Sequence, residues 1–264
     1  NTTGTTATNE VGPDGTLYNM TNADWVAGKY GNALDFDGSN DYVELPESVG
    51  DVASITVSAW VKPTQLATDV IASKVPAGNS GGKGWELRYG SDGTLRFRLG
   101  GQSGTSAEVD TEVNQFTSGN WLHFVGSYNV DTRIGKTYIN GNMLRAENMG
   151  TRTPAAGNVK LRIGNGINRN TSNRFRGLMD DFRIYNRALT DSEVSTVYGS
   201  GNGDFTLVRT GNQLSFKKAG QANIIAVAIG DVNVAQSNVI SRPLVVDKPV
   251  ITITADDKSR LVNT

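Results

Sequence analysis

Two adjacent carboxylates, Asp180 and Asp181, sit inside an apolar run at residues 177–185, GLMDDFRIY. A carboxylate taken out of water needs a cation, either an arginine or a metal ion. Strand alternation puts Leu178, Asp180, Phe182 and Ile184 on one face, and Met179, Asp181, Arg183 and Tyr185 on the other. Neither face is clearly the apolar one, so this strand is expected to be covered on both sides. Both aspartates can enter one site only if the strand bulges. Three further acids, Glu108, Asp110 and Glu112, alternate so that they share one strand face. Glycoside hydrolysis requires paired carboxylates. This run lacks aromatic neighbours and lies between glycine-rich stretches, which fits a solvated strand face better. The single histidine, His123, lies in WLHFV and reads as a packed strand residue. No serine nucleophile motif, phosphate loop or histidine metal cluster occurs.

The cations offer a second chemistry. Trp85, Leu87 and Tyr89 alternate with Glu86 and Arg88, while Leu95, Phe97 and Leu99 alternate with Arg96 and Arg98. Like faces must pair, so the hairpin register follows from a three-residue loop, Ser91-Asp92-Gly93, with Gly93 left-handed. Trp85 then faces Leu99, Leu87 faces Phe97 and Tyr89 faces Leu95. On the polar side Glu86 meets Arg98, and Arg88 meets Arg96. Like charges placed opposite each other are mildly destabilising. Arginine binds carboxylate or sulfate in a bidentate fork, so Arg88, Arg96 and Arg98 point to an acidic polysaccharide rather than a neutral one. Asn79, Lys83, Asn165, Asn168, Arg169 and Asn170 lie in loops that reach the same rim, with Asn165 and Arg169 the favoured ligand contacts among them. The alternative is that the arginines are only solvated. The four tryptophans, Trp25, Trp60, Trp85 and Trp121, fall in core-like patterns, which counts against an exposed aromatic platform.

These groups must be positioned by strands. Alternating or β-branched runs predict strands at 55–61, 121–128, 136–139, 143–147 and 160–164, and Asn140-Gly141 is a strong hairpin signal. One helix is expected after the last strand. Thr190 and Glu193 form a capping box, Val194 and Val197 supply an apolar face, and Gly199 ends it. Few helix-forming runs and 31 glycines in 264 residues fit an all-β sandwich. Beyond Gly199 the pattern changes to shorter strands at 205–208, 213–216, 223–229 and 238–246.

A net charge of −1 gives no field for nucleic acid or an anionic membrane. No apolar run approaches the roughly 18 residues of a membrane span. The absence of cysteine rules out disulfides, thiolate metal sites and a cysteine nucleophile. The chain opens on Asn1 with no charged-then-apolar leader, which leads us to expect a processed protein or a fragment of a larger one.

The stretch MDDFRIYNRALTDSEV resembles the C-terminal signature of laminin-G-like, concanavalin A-like jelly-roll domains of bacterial secreted and surface proteins. DGTLYN, WVAGKYGNALDFDGSNDYVELP, ITVSAWVKP, WLHFVGSYN, KTYINGNML and KLRIGNG precede it in the order of that family. The resemblance spans about residues 10–199 and implies a two-sheet antiparallel jelly-roll sandwich. It also implies a structural calcium ion (Ca2+), held by Asp180 of the last strand with Asp37, Gly38, Asp14 and Gly15 of the N-terminal loops. Calcium takes six to eight hard oxygens, which carboxylates and turn carbonyls supply. The alternative is an ion pair of Asp180 with Arg176 or Arg183. The Glu-x-Asp-x-x-Glu strand of laminarinase relatives is absent. Residues 214–238 resemble the end of a bacterial immunoglobulin-like repeat, and 248–260 the opening of another. Three parts are therefore expected: a jelly roll over 1–199, an immunoglobulin-like β segment over 200–247, and a linker or next repeat over 248–264. The expected protein is a non-catalytic, lectin-like module of a multidomain extracellular or cell-surface chain. It is expected to be monomeric within that chain, to bind a polysaccharide or glycan, and to take no nucleic acid. An adhesion or spacer module is the alternative, and a polysaccharide-cleaving enzyme the least favoured.

Overall fold

Alternation of apolar and polar residues builds two facing sheets. The computed structural model describes residues 4–7, 13–76, 82–100, 106–166 and 173–200, and five strand segments beyond. The first strands are β1 (Thr6–Ala7), β2 (Gly15–Tyr18), β3 (Trp25–Ala27), β4 (Asn32–Asp37) and β5 (Tyr42–Leu45). Next come β6 (Ile55–Pro63), β7 (Asp69–Lys74), β8 (Trp85–Tyr89), β9 (Leu95–Leu99) and β10 (Ala107–Asp110). The domain closes with β11 (Leu122–Tyr128), β12 (Ile134–Ile139), β13 (Asn142–Asn148), β14 (Leu161–Ile163), β15 (Arg176–Tyr185) and helix α1 (Asp191–Ser200). An eight-stranded sheet runs β1-β2-β5-β14-β7-β8-β9-β10, and a seven-stranded sheet runs β13-β12-β11-β6-β15-β4-β3. Every pairing in both sheets is antiparallel. This is the expected all-β jelly-roll sandwich.

The core lies between the sheets. Ile55, Val57, Ala59 and Val61 of β6 face Leu87, Leu95, Phe97 and Leu99 of the other sheet within one buried cluster. Trp85 belongs to it, and Trp25 packs on its margin. Trp60, also buried, points the other way, so the expectation of tryptophans in the core applies fully only to Trp85. Gly126 marks the closest approach of the sheets. A Cβ there would lie 2.4 Å from Phe97 Cδ2, so the ring occupies the space a side chain would take.

The outer face of the seven-stranded sheet has its own cover. Leu189, Val194 and Val197 pack on Val125 and Tyr138. Glu193 N–H donates to Thr190 Oγ1 (3.3 Å) and Thr190 N–H to Glu193 Oε2 (2.8 Å), which is the expected capping box. The helix continues past Gly199 to Ser200.

The chain divides into two compact units, residues 1–198 and 199–264. In the second, strands Val208–Thr210, Gln213–Ser215 and Thr252–Thr254 form one sheet, and Gly220–Ala226 pairs with Ile240–Val246.

Candidate ligand-binding face

The outer face of the eight-stranded sheet carries a row of polar side chains in continuous cross-strand register. From edge to edge it reads Thr6, Thr16, Glu44, Arg162, Ser73, Glu86, Arg98, Glu108. The hairpin half of this face has the predicted register in full, Trp85↔Leu99 through Tyr89↔Leu95, and Gly93 turns at φ +73°.

The arginines there do not stand in water. Arg88 and Arg98 are buried, and both approach Glu108 Oε1 at 3.2 Å. Arg88 also lies 3.6 Å from Glu86. Arg96 pairs with Asp92 at 3.4 Å and with Asp110 at 3.6 Å. The Arg88–Arg96 opposition is thus relieved by acids on both sides. The neutralising residues come from β10, which pairs with β9 to set Glu108 beside Arg98 and Asp110 beside Arg96. Burial, with Glu108 nearby, raises the Asp110 carboxyl above its ordinary range. The exposed-face expectation for Glu108 and Asp110 is therefore corrected: they are counter-ions of the arginines. Asn165 is nearly buried just beyond β14. Lys83 is exposed, its backbone bridged to Thr153. Arg169, Asn79, Asn168 and Asn170 lie outside the described residues.

The other end of the face holds residues that no sequence pattern singles out. Tyr18 stacks on Tyr42, with ring centres 4.6 Å apart and planes 7° from parallel. The Arg162 guanidinium carbon lies 4.6 Å from the Tyr42 ring centre. Glu44 accepts from Lys160 Nζ at 2.7 Å and from Arg162 Nε at 3.1 Å. Although burial opposes it, those two cations hold the Glu44 carboxyl below its ordinary range. An open pocket of about 510 Å³ lies here, lined by Asp14, Thr16, Tyr18, Glu44, Glu47 and Lys160, among others. The signal was present in GTLY, YVEL and KLRI, where Leu17, Val43 and Leu161 face in and their neighbours face out. It is a weak signal because none of those neighbours stands out until the strands are set side by side.

The aspartates of β15 do sit at a bulge. The register shifts between Asp180, opposite Trp60, and Arg183, opposite Ser58, and Asp181 adopts φ +48°. The extra residue changes which face each side chain takes. Met179 faces inward before the bulge, and Phe182 and Ile184 after it, which is why neither simple alternation was apolar. Asp180 Oδ2 accepts Tyr30 N–H at 2.8 Å and Oδ1 accepts Asp181 N–H at 2.7 Å. Arg183 Nε donates to Asp181 Oδ1 at 2.7 Å. Asp180 thereby ties the loop before β4 to the last strand directly.

The proposed calcium ligands are not brought together. Asp37 faces Arg176, and Asp180 lies four residues further along β15, about 13 Å at strand rise. Donor oxygens on one calcium ion stand about 5 Å apart or less, and each aspartate side chain adds about 3.5 Å of reach, so two that share an ion have Cα atoms within about 12 Å. Asp14 belongs to the pocket of the opposite sheet. The Asp37 carbonyl accepts Arg176 Nε at 2.9 Å, so a guanidinium already serves it. A Cβ on Gly38 would meet that Nε at 2.7 Å. The Asp37 carboxylate caps its own turn through Ser39 N–H (2.6 Å) and Asn40 N–H. Among the described residues no three His, Cys, Asp or Glu side chains form a metal-sized group. The residues present do not fit a calcium ion.

His123 is fully buried in the outer layer of the seven-stranded sheet, with ring centres 5.3 Å from Trp60 and 5.9 Å from Tyr198. Neither ring nitrogen has a hydrogen-bond partner among the described residues. Burial, aided by the Arg183 charge, lowers its pKa to about 4.

With the fold and this face described, the chain can be placed. A laminin-G family model described as the concanavalin A-like lectin/glucanases superfamily matches residues 37–195, and the chain belongs to that family. Among solved structures, domain 4 of AbnA, an extracellular GH43 arabinanase from Geobacillus stearothermophilus, was determined with arabinotriose. It is 26% identical, with a TM-score of 0.53 over 74% of this chain and 86% of that one. The CBM40 of Ruminococcus gnavus IT-sialidase, bound to alpha2,3 sialyllactose, is 13% identical with a TM-score of 0.54, over 63% of this chain and 96% of that one. The binding domain of Paraclostridial Mosquitocidal Protein 1 is 21% identical with a TM-score of 0.52, over 77% and 53%. The last two attest the fold alone. No helix among the described residues is long and apolar enough to cross a membrane.

Proposed function

We propose that this chain is a non-catalytic carbohydrate-binding module of an extracellular protein, and that its ligand face is the outer surface of the eight-stranded sheet. The observation that carries this reading is the composition of that face: planar carboxylates and guanidiniums in register, a stacked tyrosine pair and an open pocket at one end. Sugar sites combine these elements. The arabinanase domain, solved with an uncharged sugar, supports the ligand class. Glu108 and Asp110, the nearest approach to a hydrolytic acid pair, are held by Arg88, Arg98 and Arg96, which favours binding over catalysis. The acidic glycan suggested by those arginines is disfavoured for the same reason, since an anion would have to displace carboxylates already in place. Affinity electrophoresis through gels of neutral and acidic polysaccharides tests the reading. Retardation by at least one neutral polysaccharide is expected, and free migration through all of them would overturn it.

A protein-binding adhesion or spacer role is the second reading. It is favoured by the exposed edge strand β13, where Met143 and Leu144 face solvent.

A further inference from the structure

Resting on the carbohydrate reading, we propose that Tyr18 and the pocket beside it form the sugar subsite, and that the subsite takes an uncharged oligosaccharide. Tyr18 is 37% exposed although one face of its ring is stacked on Tyr42. The stack fixes its orientation: Tyr42 backs it, and Arg162 backs Tyr42. The opposite ring face is turned toward the edge of the sheet. There Leu17 N–H donates to Thr5 O (2.8 Å), and continuing that register sets Gly4 beside Tyr18. A Cβ added at Gly4 would meet no heavy atom within 4 Å, so among the described residues position 4 places no side chain against the ring. An aromatic ring immobilised in this way can stack on the C–H face of a sugar with little ordering cost.

The pocket walls are equally fixed. The buried Lys74 ammonium donates to the carbonyls of Glu47 and Val159, clamping the turn after β5 to the residue before Lys160. Glu44 holds the Lys160 ammonium, which has three donors and remains half-exposed. Acceptors on Asp14 and Glu47 and donors on Lys160 and Thr16 line the same pocket as the ring. Hydroxyl groups, which both donate and accept, match such a mixed set.

The charge balance selects the ligand class. At the pocket the carboxylates of Asp14, Glu44 and Glu47 are set against Lys160, against the Arg162 guanidinium on Glu44 and against the Lys74 ammonium on the Glu47 carbonyl, so neither a polyanion nor a polycation meets a net opposite charge. An ammonium ligand would meet Lys160 beside Tyr18. At the far end of the sheet Arg88, Arg96 and Arg98 are matched by Glu86, Glu108, Asp92 and Asp110. That end offers no net positive charge to an acidic chain.

The test is an amide-resolved NMR titration of the intact chain with arabinotriose, a galacturonic acid trimer and a chitosan trimer. Arabinotriose is expected to shift Tyr18, Glu44, Leu45 and Lys160. Tyr18→Ala should weaken it about tenfold or more, as a hot-spot aromatic does, while Tyr18→Phe stays within about twofold because the ring remains. Arg145→Gln, on the exposed edge strand β13 of the other sheet, should leave affinity unchanged. Shifts centred on Arg88, Arg96 and Arg98, with Tyr18→Ala binding like the wild type, would overturn this subsite and leave the carbohydrate reading standing. Tighter binding of either charged trimer would overturn the ligand class. Failure of all three trimers would also overturn the inference, and the carbohydrate reading falls with it only if no polysaccharide gel retards the protein.

Discussion

His123 and Asp41 carry opposite pH dependences. The folded state holds His123 neutral, with its pKa lowered to about 4. Its contribution to stability is therefore complete above the unfolded value near 6.5 and is lost as pH falls toward 4. His123→Phe, which keeps a ring between Trp60 and Tyr198, should melt close to the wild type at pH 8. At pH 4 it should be more stable by about 2–3 kcal/mol. Asp41 is buried, accepts Asp37 N–H at 2.9 Å, and has its pKa raised to about 6 by burial first and by the Asp37 and Asp24 charges. Its protonated form suits the fold, so stability is present below about pH 4 and lost as pH rises through about 6. Asp41→Asn should raise the melting temperature at pH 7.5 and lose that advantage by pH 4. A pH-independent difference would show that burial of the charge is not the cause. The windows overlap, so each effect is read as variant minus wild type at each pH.

At the scale of elements, the two sheets meet where Phe97 fills the space above Gly126. Gly126→Val should cost about 3 kcal/mol or more by overpacking. Phe97→Leu introduced alongside it should recover part of that loss, because the two sites are coupled. Strict additivity in denaturant melts would contradict the close approach. Elements also mark the limit of what the sequence disclosed. The β8–β9 register was derivable because two alternating runs flank one short turn, and the helix cap because Thr190 and Glu193 are three residues apart. Strand β7, DVIASK, was not anticipated. Its Asp69 and Lys74 mimic a loop, yet Asp69 accepts from the Tyr89 hydroxyl at 3.0 Å and Lys74 spans to two backbone carbonyls. The partners that make those charges tolerable come from elsewhere in the chain. The counter-ions of Arg88 and Arg98 were hidden for the same reason, since Glu108 reaches them only through the pairing of β10 with β9.

At the scale of the molecule, the family and sandwich were legible because ordered short runs report the fold. The subsite was not, because Tyr18, Glu44 and Lys160 lie on β2, on β5 and just before β14, and meet only in the assembled sheet. The calcium expectation gains no support on the same ground, as Asp180, Asp37 and Asp14 are carried to separate places. EDTA should therefore leave the melting temperature of the first domain unchanged. A fall on chelation would show that a native-state ion is bound after all. The claim that the eight-stranded sheet is a face for uncharged glycans is tested most directly by titration calorimetry of the intact chain with debranched arabinan at low and at high salt. Measurable affinity that salt barely changes is expected, because no ion pair with the ligand forms. Undetectable heat with arabinan, together with salt-sensitive binding of polygalacturonate, would contradict it.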